Sequence, residues 1–177
     1  MAVFDTVRYI DSDDAVVAFV PWQPGLHLYS KFAPERFRQI IPWCKSDEEF
    51  DGFIEQYSDI LSCWIVTERA TGRPFGFIYC ELEPQACQPT VSLHGGCWEQ
   101  SLGFARLVLR GYITFIEMAL NHGYHVWTET NKHNLAAVRL ARAMGYVKYC
   151  ETSERIYFWI NRQRLYGSKY YTLFFNR

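Results

Sequence analysis

The sequence lacks any long hydrophobic run. Its longest wholly apolar stretch is Ala15 to Trp22, far below the ~20 residues a membrane helix needs. It also lacks a charge excess of either sign. Eighteen Lys and Arg stand against 19 Asp and Glu, a formal net charge of -1. That excludes a highly charged disordered chain and disfavours a protein that holds a phosphate backbone through bulk positive charge. No Cys-x-x-Cys occurs among the six cysteines, at 44, 63, 80, 87, 97 and 150. The Cys80 to Cys87 spacing is not a usual zinc or iron–sulfur signature, and no second close pair supports His94 and Cys97 as ligands. No metal site is expected. The glycines match neither the dinucleotide nor the P-loop fingerprint. Met1 to Asp14 shows no basic region followed by an apolar one, so it does not read as a signal peptide. A reducing, cytoplasmic setting with cysteines as small hydrophobes or free thiols is the expectation. No repeat or low-complexity segment is visible.

Aromatic residues, by contrast, make up 18% of the 177 residues. They imply a large buried area, with an aromatic-lined pocket or an oligomer interface as further uses. The length favours one domain over residues 1–177.

Val7 to Ile10 reads as a strand, and Ala15 to Trp22 is apolar without a clear period. Proline at Pro34 suits the first turn of a short helix over Pro34 to Gln39. Ser46 with Glu49 has capping-box spacing, and Phe50, Phe53, Ile54 and Tyr57 follow at helical spacing. This predicts a helix from Asp47 to about Ser58. Cys63 to Thr67 and Phe75 to Leu82 are strand-like about the turn Arg69 to Arg73, with a third strand at Thr90 to His94. Ser101 to Leu120 then carries apolar residues at 102, 105, 109, 112, 113, 116, 119 and 120, a long helix with a broad buried face that ends at Gly123. Tyr124 to Thr130 is a strand, Asn134 to Met144 a helix stopped by Gly145, and Tyr146 to Cys150 and Ile156 to Ile160 are strands. The order predicts a mixed sheet with helices packed on it, an α+β arrangement.

The most informative stretch is His94-Gly95-Gly96-Cys97-Trp98-Glu99-Gln100-Ser101-Leu102-Gly103-Phe104-Ala105, between a strand and the longest helix. A helix start offers unpaired N–H groups and partial positive charge, and glycine lets a ligand approach the backbone. That is a recipe for a phosphate or pyrophosphate site. Read from the residues alone, a plain turn and close helix–sheet packing explain the glycines equally well.

Gln100-Ser101-Leu102-Gly103-Phe104-Ala105 resembles the Gln/Arg-x-x-Gly-x-Gly/Ala motif of the GNAT superfamily of acyl-CoA-dependent N-acetyltransferases. Asn134 to Tyr146 independently resembles that family's Asn-x-x-Ala-x-x-Leu-Tyr-x-x-x-Gly-Phe segment. The resemblance covers roughly residues 60 to 162, leaving the earlier helices as the variable acceptor side. It implies a central mixed, mainly antiparallel sheet with splayed parallel middle strands and helices on both faces. It implies acetyl-CoA as co-substrate, with its pyrophosphate at Glu99, Gln100, Ser101, Leu102, Gly103, Phe104 and Ala105. It implies a pantetheine arm against the strand backbone at Leu93 and Gly95, and a contact from Asn134, which also suits a helix cap. The family's frequent tyrosine, able to protonate the leaving thiolate, is Ala141 here, as in members resembling ribosomal-protein N-terminal acetyltransferases. The mechanism therefore does not carry over whole.

Acyl transfer to an amine needs a neutral nucleophile and so a proton acceptor. His94, at the end of the strand leading into the loop, is the first candidate. A backbone-tied structural histidine is the alternative. Glu81 and Glu129 are further candidates, each also readable as a solvated or ion-paired carboxylate. Cys97 as a nucleophile is a minor option. Trp22, Trp43 and Trp64 read as core, with a pocket wall as the other use. The tail 161–177 is basic and aromatic and is expected to pack on its own domain or on a partner.

The leading expectation is direct transfer of an acetyl group from acetyl-CoA to a primary amine of a small molecule or protein. A non-catalytic acyl-CoA-binding or structural module on the same fold is the competing class. A nucleic-acid role rests only on the tail and is disfavoured; no membrane is expected, and a homodimer is left open.

Overall fold

The computed structural model describes residues 14–31, 41, 43–98 and 102–175. The expected strand at 7–10 and helix at 34–39 lie outside the described residues, as do the side chains at 102, 104 and 105. The chain divides into two compact units interleaved in sequence, residues 1–81 with 94–108, and 82–93 with 109–177. Among the described residues, seven strands follow the order β1-β2-β3-β4-β5-β7-β6. The fold is mixed α/β, mainly antiparallel, with one parallel pair.

In the first unit the ambiguous apolar run becomes a strand, β1 (Val17–Pro21). The Asp14 carboxylate accepts the amides of Val16 and Val17 and fixes its start. Pro21 ends it, which an edge strand tolerates. β1 pairs antiparallel with β2 (Leu61–Glu68), and β2 with β3 (Pro74–Leu82). Helix α1 (Asp47–Gln56) stops two residues short of expectation. Ser46 accepts from the Glu49 amide as a cap should. Glu49, however, accepts from the Lys45 amide at 2.7 Å, one residue before the position a capping box specifies. Phe50 and Ile54 enter a core with Leu28, Cys44, Cys63, Ile65, Phe77 and Tyr79. Each such burial is worth about 1.5–3 kcal/mol.

Strand β4 (Thr90–Cys97) is three residues longer than the sequence suggested. Gly95-Gly96 is strand, not turn. The close approach falls on its neighbour: a Cβ on Gly76 would lie 2.6 Å from the Gly96 carbonyl oxygen. The Trp98 amide donates to the Phe75 carbonyl just beyond.

The second unit takes the first half of β4. Helix α2 (Leu102–Asn121) supplies the crossover to β5 (His125–Asn131), which runs parallel to β4. Gly123, at φ +84, turns the chain between them. Helix α3 (Leu135–Ala143) leads to β6 (Val147–Glu151), and β7 (Arg155–Ile160) returns between β5 and β6. The tail forms two short helices, α4 (Arg162–Tyr166) and α5 (Lys169–Phe175). It packs on α2: the Tyr171 hydroxyl donates to Glu117 at 2.8 Å, and the Arg110 guanidinium sits 4.8 Å over the Phe175 ring. Its aromatics are thus helical and serve this chain's own packing.

Candidate active site

The parallel ladder is short. Thr90 faces His125, Val91 faces Val126, and Ser92 faces Trp127. The next carbonyl, that of Leu93, accepts from the Thr128 hydroxyl at 2.7 Å. A side chain there takes the place of a ladder amide. β4 then continues to Cys97, while β5 pairs along its length with β7, from Val126–Ile160 to Asn131–Arg155. Leu93 itself is buried.

In the first unit, the half-buried His94 ring stacks on Tyr79, with centroids 4.8 Å apart and planes 15° from parallel. Tyr79 is buried on β3 opposite Cys63. Strand alternation puts Glu81 on the same face as Tyr79. Glu81 lies opposite Leu61 and is half-buried. Gly95 and Cys97 are also half-buried. Glu99, Gln100 and Ser101 lie outside the described residues. Helix α2 starts at Leu102, and Gly103 is exposed in its first turn. A helix therefore begins five residues after the strand ends.

In the second unit, Glu129 forms an ion pair with Arg155 across β5 and β7. Of the readings open for Glu129, the ion-paired one is the state observed. Asn134 caps α3, its side-chain oxygen accepting the Ala137 amide at 3.1 Å. Ala141, in the position of the family tyrosine, is buried. Tyr146, nearby in sequence, is buried too, and desolvation drives its hydroxyl strongly toward the protonated form.

The cysteines divide by environment. Burial pushes the Cys44 thiol up to about 11 and the Cys80 thiol up to about 12, and raises Cys63 as well. These three are poor nucleophiles. None of the six forms a disulfide, and Cys87 and Cys150 are exposed. Among the described residues no cluster of His, Cys, Asp and Glu could hold a metal. No described helix is long and apolar enough to cross a membrane. Trp64 is buried and Trp22 packs against the cluster that holds Phe50, Ile54 and Phe77, whereas Trp43 is exposed and leans on Phe53 with centroids 4.5 Å apart.

Three features escaped the sequence reading. The Tyr79 stack on His94 joins residues from different strands. The Thr128 bond to Leu93 fixes the end of the ladder. Gly76 is the glycine that the close approach of β3 and β4 demands. Only the last left a trace, as a lone glycine inside an otherwise bulky strand.

The chain belongs to the acetyltransferase (GNAT) domain family, whose model matches residues 4–147. Solved structures share the fold at low identity. A probable GNAT-family acetyltransferase from Chromobacterium violaceum superposes with TM-score 0.72 and 14% identity over 86% of each chain. Aminoglycoside acetyltransferase AAC(6')-Ib in complex with coenzyme A gives TM-score 0.68 and 14% identity over 84% of this chain and 96% of its own. Spermidine N-acetyltransferase from Vibrio cholerae, in complex with CoA and spermine, gives 0.66 and 12% over 87% and 100%. No curated protein matches the chain.

Proposed function

We propose that this acetyltransferase moves an acetyl group from acetyl-CoA to a primary amine by direct transfer. The observation that carries the reading is the short β4–β5 ladder, ended at Leu93 by the Thr128 hydroxyl and followed by a strand that runs into a helix start. A parallel pair that stops pairing leaves strand backbone to bond an extended amide-bearing chain. A helix start with an exposed glycine beside it suits a diphosphate. The CoA-bound state of solved relatives supports acetyl-CoA as the donor.

In this reading Leu93 and Gly95 hold the pantetheine amides, and the 99–105 segment holds the pyrophosphate. Acetyl-CoA supplies the thioester. His94 takes a proton from the acceptor ammonium, directly or through water, and the Tyr79 ring holds the imidazole plane for that transfer. The leaving thiolate takes its proton from solvent or from the incoming ammonium, since Ala141 provides none. Glu81 is the reserve base. Asn134 caps α3 and contacts the pantetheine arm. Glu129, tied to Arg155, positions β5 against β7. The protein works in the cytoplasm as one acyltransferase domain.

Native mass spectrometry of the purified chain with acetyl-CoA, followed by thiol-release assays over a panel of amines, tests this. One acetyl-CoA per chain and amine-dependent thiol release are expected. Absence of both would remove the proposal, and binding without release from any amine would favour a non-catalytic module.

A further inference from the structure

Within the second unit, a cavity of about 740 Å³ opens between the β3–β4 turn and the sheet. Its wall includes Glu83, Thr90, His125, Trp127, Tyr149 and Trp159. Thr90 and His125 are the first pair of the parallel ladder, at the opposite end of β4 from His94 and Gly95. At ~3.3 Å per residue, Thr90 lies about 10 Å along the strand from Leu93, the first residue assigned above to acetyl-CoA. The cavity is therefore not the place assigned above to acetyl-CoA.

Its construction is specific. Trp127 and Trp159 are direct cross-strand partners on β5 and β7, so their side chains share one face. Tyr157, two residues before Trp159, extends that face: its ring lies 6.0 Å from Trp127 and 6.1 Å from Tyr149. Two of these rings sit in solvent, Tyr149 at 56% and Trp159 at 38% exposure. Large aromatic rings left open together mark a binding surface. The turn holds Glu83 against this surface through two backbone bonds, Glu83 amide to Thr90 carbonyl at 3.0 Å and Ala86 amide to Glu83 carbonyl at 3.0 Å. Burial raises the Tyr149 hydroxyl, with smaller contributions from Cys150, Tyr157 and, last, Glu83. Among the described residues lining the cavity there is an acid but no lysine or arginine.

Aromatic faces beside a carboxylate, with no lysine or arginine in the wall, recognise one chemical class. The ring faces carry negative electrostatic potential, and the carboxylate adds full charge. We propose that this cavity binds a small organic cation, an alkylated or primary ammonium, whose head group sits over Trp127 and Trp159 and beneath Glu83. The site is separate from acetyl transfer and stands whether or not the acceptor reading holds.

Choline tests it against its neutral isostere, 3,3-dimethyl-1-butanol, at pH 8. The readout is the indole N–H resonances of Trp127 and Trp159 in the full chain. Choline is expected to shift both with one saturable curve, and the isostere to bind at least ~10-fold more weakly, about 1.4 kcal/mol. Glu83→Gln, a substitution in an open turn, should weaken choline at least ~5-fold, and Trp159→Leu at least as much, while acetyl-CoA affinity stays constant. Equal binding of choline and isostere would reduce the cavity to an apolar groove and overturn the proposal. So would an unchanged affinity in Glu83→Gln, or indole resonances that do not respond. A dimer in sedimentation whose Trp159 resonance is blind to choline would assign the face to a second copy, and would overturn it equally.

Discussion

The His94 imidazole lies nearly flat against Tyr79, 15° from parallel at 4.8 Å. The histidine that ends the informative half of β4 thus has its ring plane set by a buried residue of the neighbouring strand. A freely turning imidazole would spend much of its time misdirected, and orientation is a large part of what a positioned base contributes. His94→Ala should lower turnover by roughly 10²–10³ while acetyl-CoA affinity stays nearly constant. The wild-type rate should rise with pH as the base loses its proton, and that limb should vanish in the variant. A variant that keeps both rate and limb would make His94 structural and move the search to Glu81.

Tyr79→Phe should keep the stack and most of the rate. Tyr79→Leu should keep a buried side chain but release the imidazole plane. A several-fold fall in kcat with little change in KM is expected for Leu and not for Phe. Steady-state kinetics of the two, with circular dichroism to verify folding, reads this. Equal rates would mean the stack is packing only.

Two helix-terminating glycines should respond differently to alanine. Gly123 has φ +84 and nothing within 4 Å of a new Cβ, so Gly123→Ala should cost only the left-handed backbone, about 1–2 kcal/mol. Gly145 has φ +96, and its Cβ would stand 2.4 Å from the Arg164 carbonyl oxygen. Gly145→Ala adds a backbone clash to the same strain and should cost roughly 1–3 kcal/mol more. Urea unfolding of both would show the order, and a Gly145 variant as stable as the Gly123 one would contradict the contact.

The local signals in the sequence were reliable where one short stretch decides the outcome. Ser46, Asn134, Gly123 and Gly145 start or stop helices through their own side chains or their own φ, and the positions agree within a residue or two. The β2–β3 hairpin and the long helix follow from turn residues and from period. The misses depend on other strands. β4 runs on through Gly95-Gly96 because β3 lies alongside at Gly76. The short Arg155 to Ile160 run inserts between β5 and β6, an order that no local pattern encodes. The Ala15 to Trp22 run has no clear period, and pairing with β2 decides that it is strand. Of the candidate site, sequence indicated where chemistry could sit, on β4 and at the start of α3. It did not indicate that Tyr79 and Thr128 fix His94 and Leu93, because those contacts exist only after strands assemble.

Asn134 carries two roles that substitution can separate. Asn134→Ala removes the cap of α3 and should cost about 1 kcal/mol, whereas Asn134→Asp keeps an acceptor for the Ala137 amide and should cost little. If the amide also donates to the pantetheine arm, Asn134→Asp should weaken acetyl-CoA several-fold at nearly unchanged stability. Calorimetric titration beside thermal unfolding distinguishes the roles. Unchanged affinity in the stable aspartate variant would leave Asn134 as a cap alone.

Thiol chemistry gives a pH prediction. Cys44 and Cys80 are protonated more tightly when folded, at about 11 and about 12 against an ordinary 9.0. Folded values above unfolded ones mean the stabilisation is intact below about pH 9 and is lost as pH rises toward 11 and 12. The unfolding midpoint should fall steadily above pH 9. At pH 8 a thiol reagent should label Cys87 and Cys150 quickly and Cys44, Cys63 and Cys80 only on unfolding. Rapid labelling of the buried three in folded protein would contradict their placement.

The central claim is that β4 and the start of α2 receive acetyl-CoA, and backbone amide shifts on adding acetyl-CoA to isotope-labelled protein test it most directly. Shifts are expected at Leu93 to Gly95, in the 99–105 segment and at Asn134, saturating at one acetyl-CoA per chain, with the indole of Trp159 unmoved. Shifts confined to residues 161–177, or none at saturating acetyl-CoA, would contradict it.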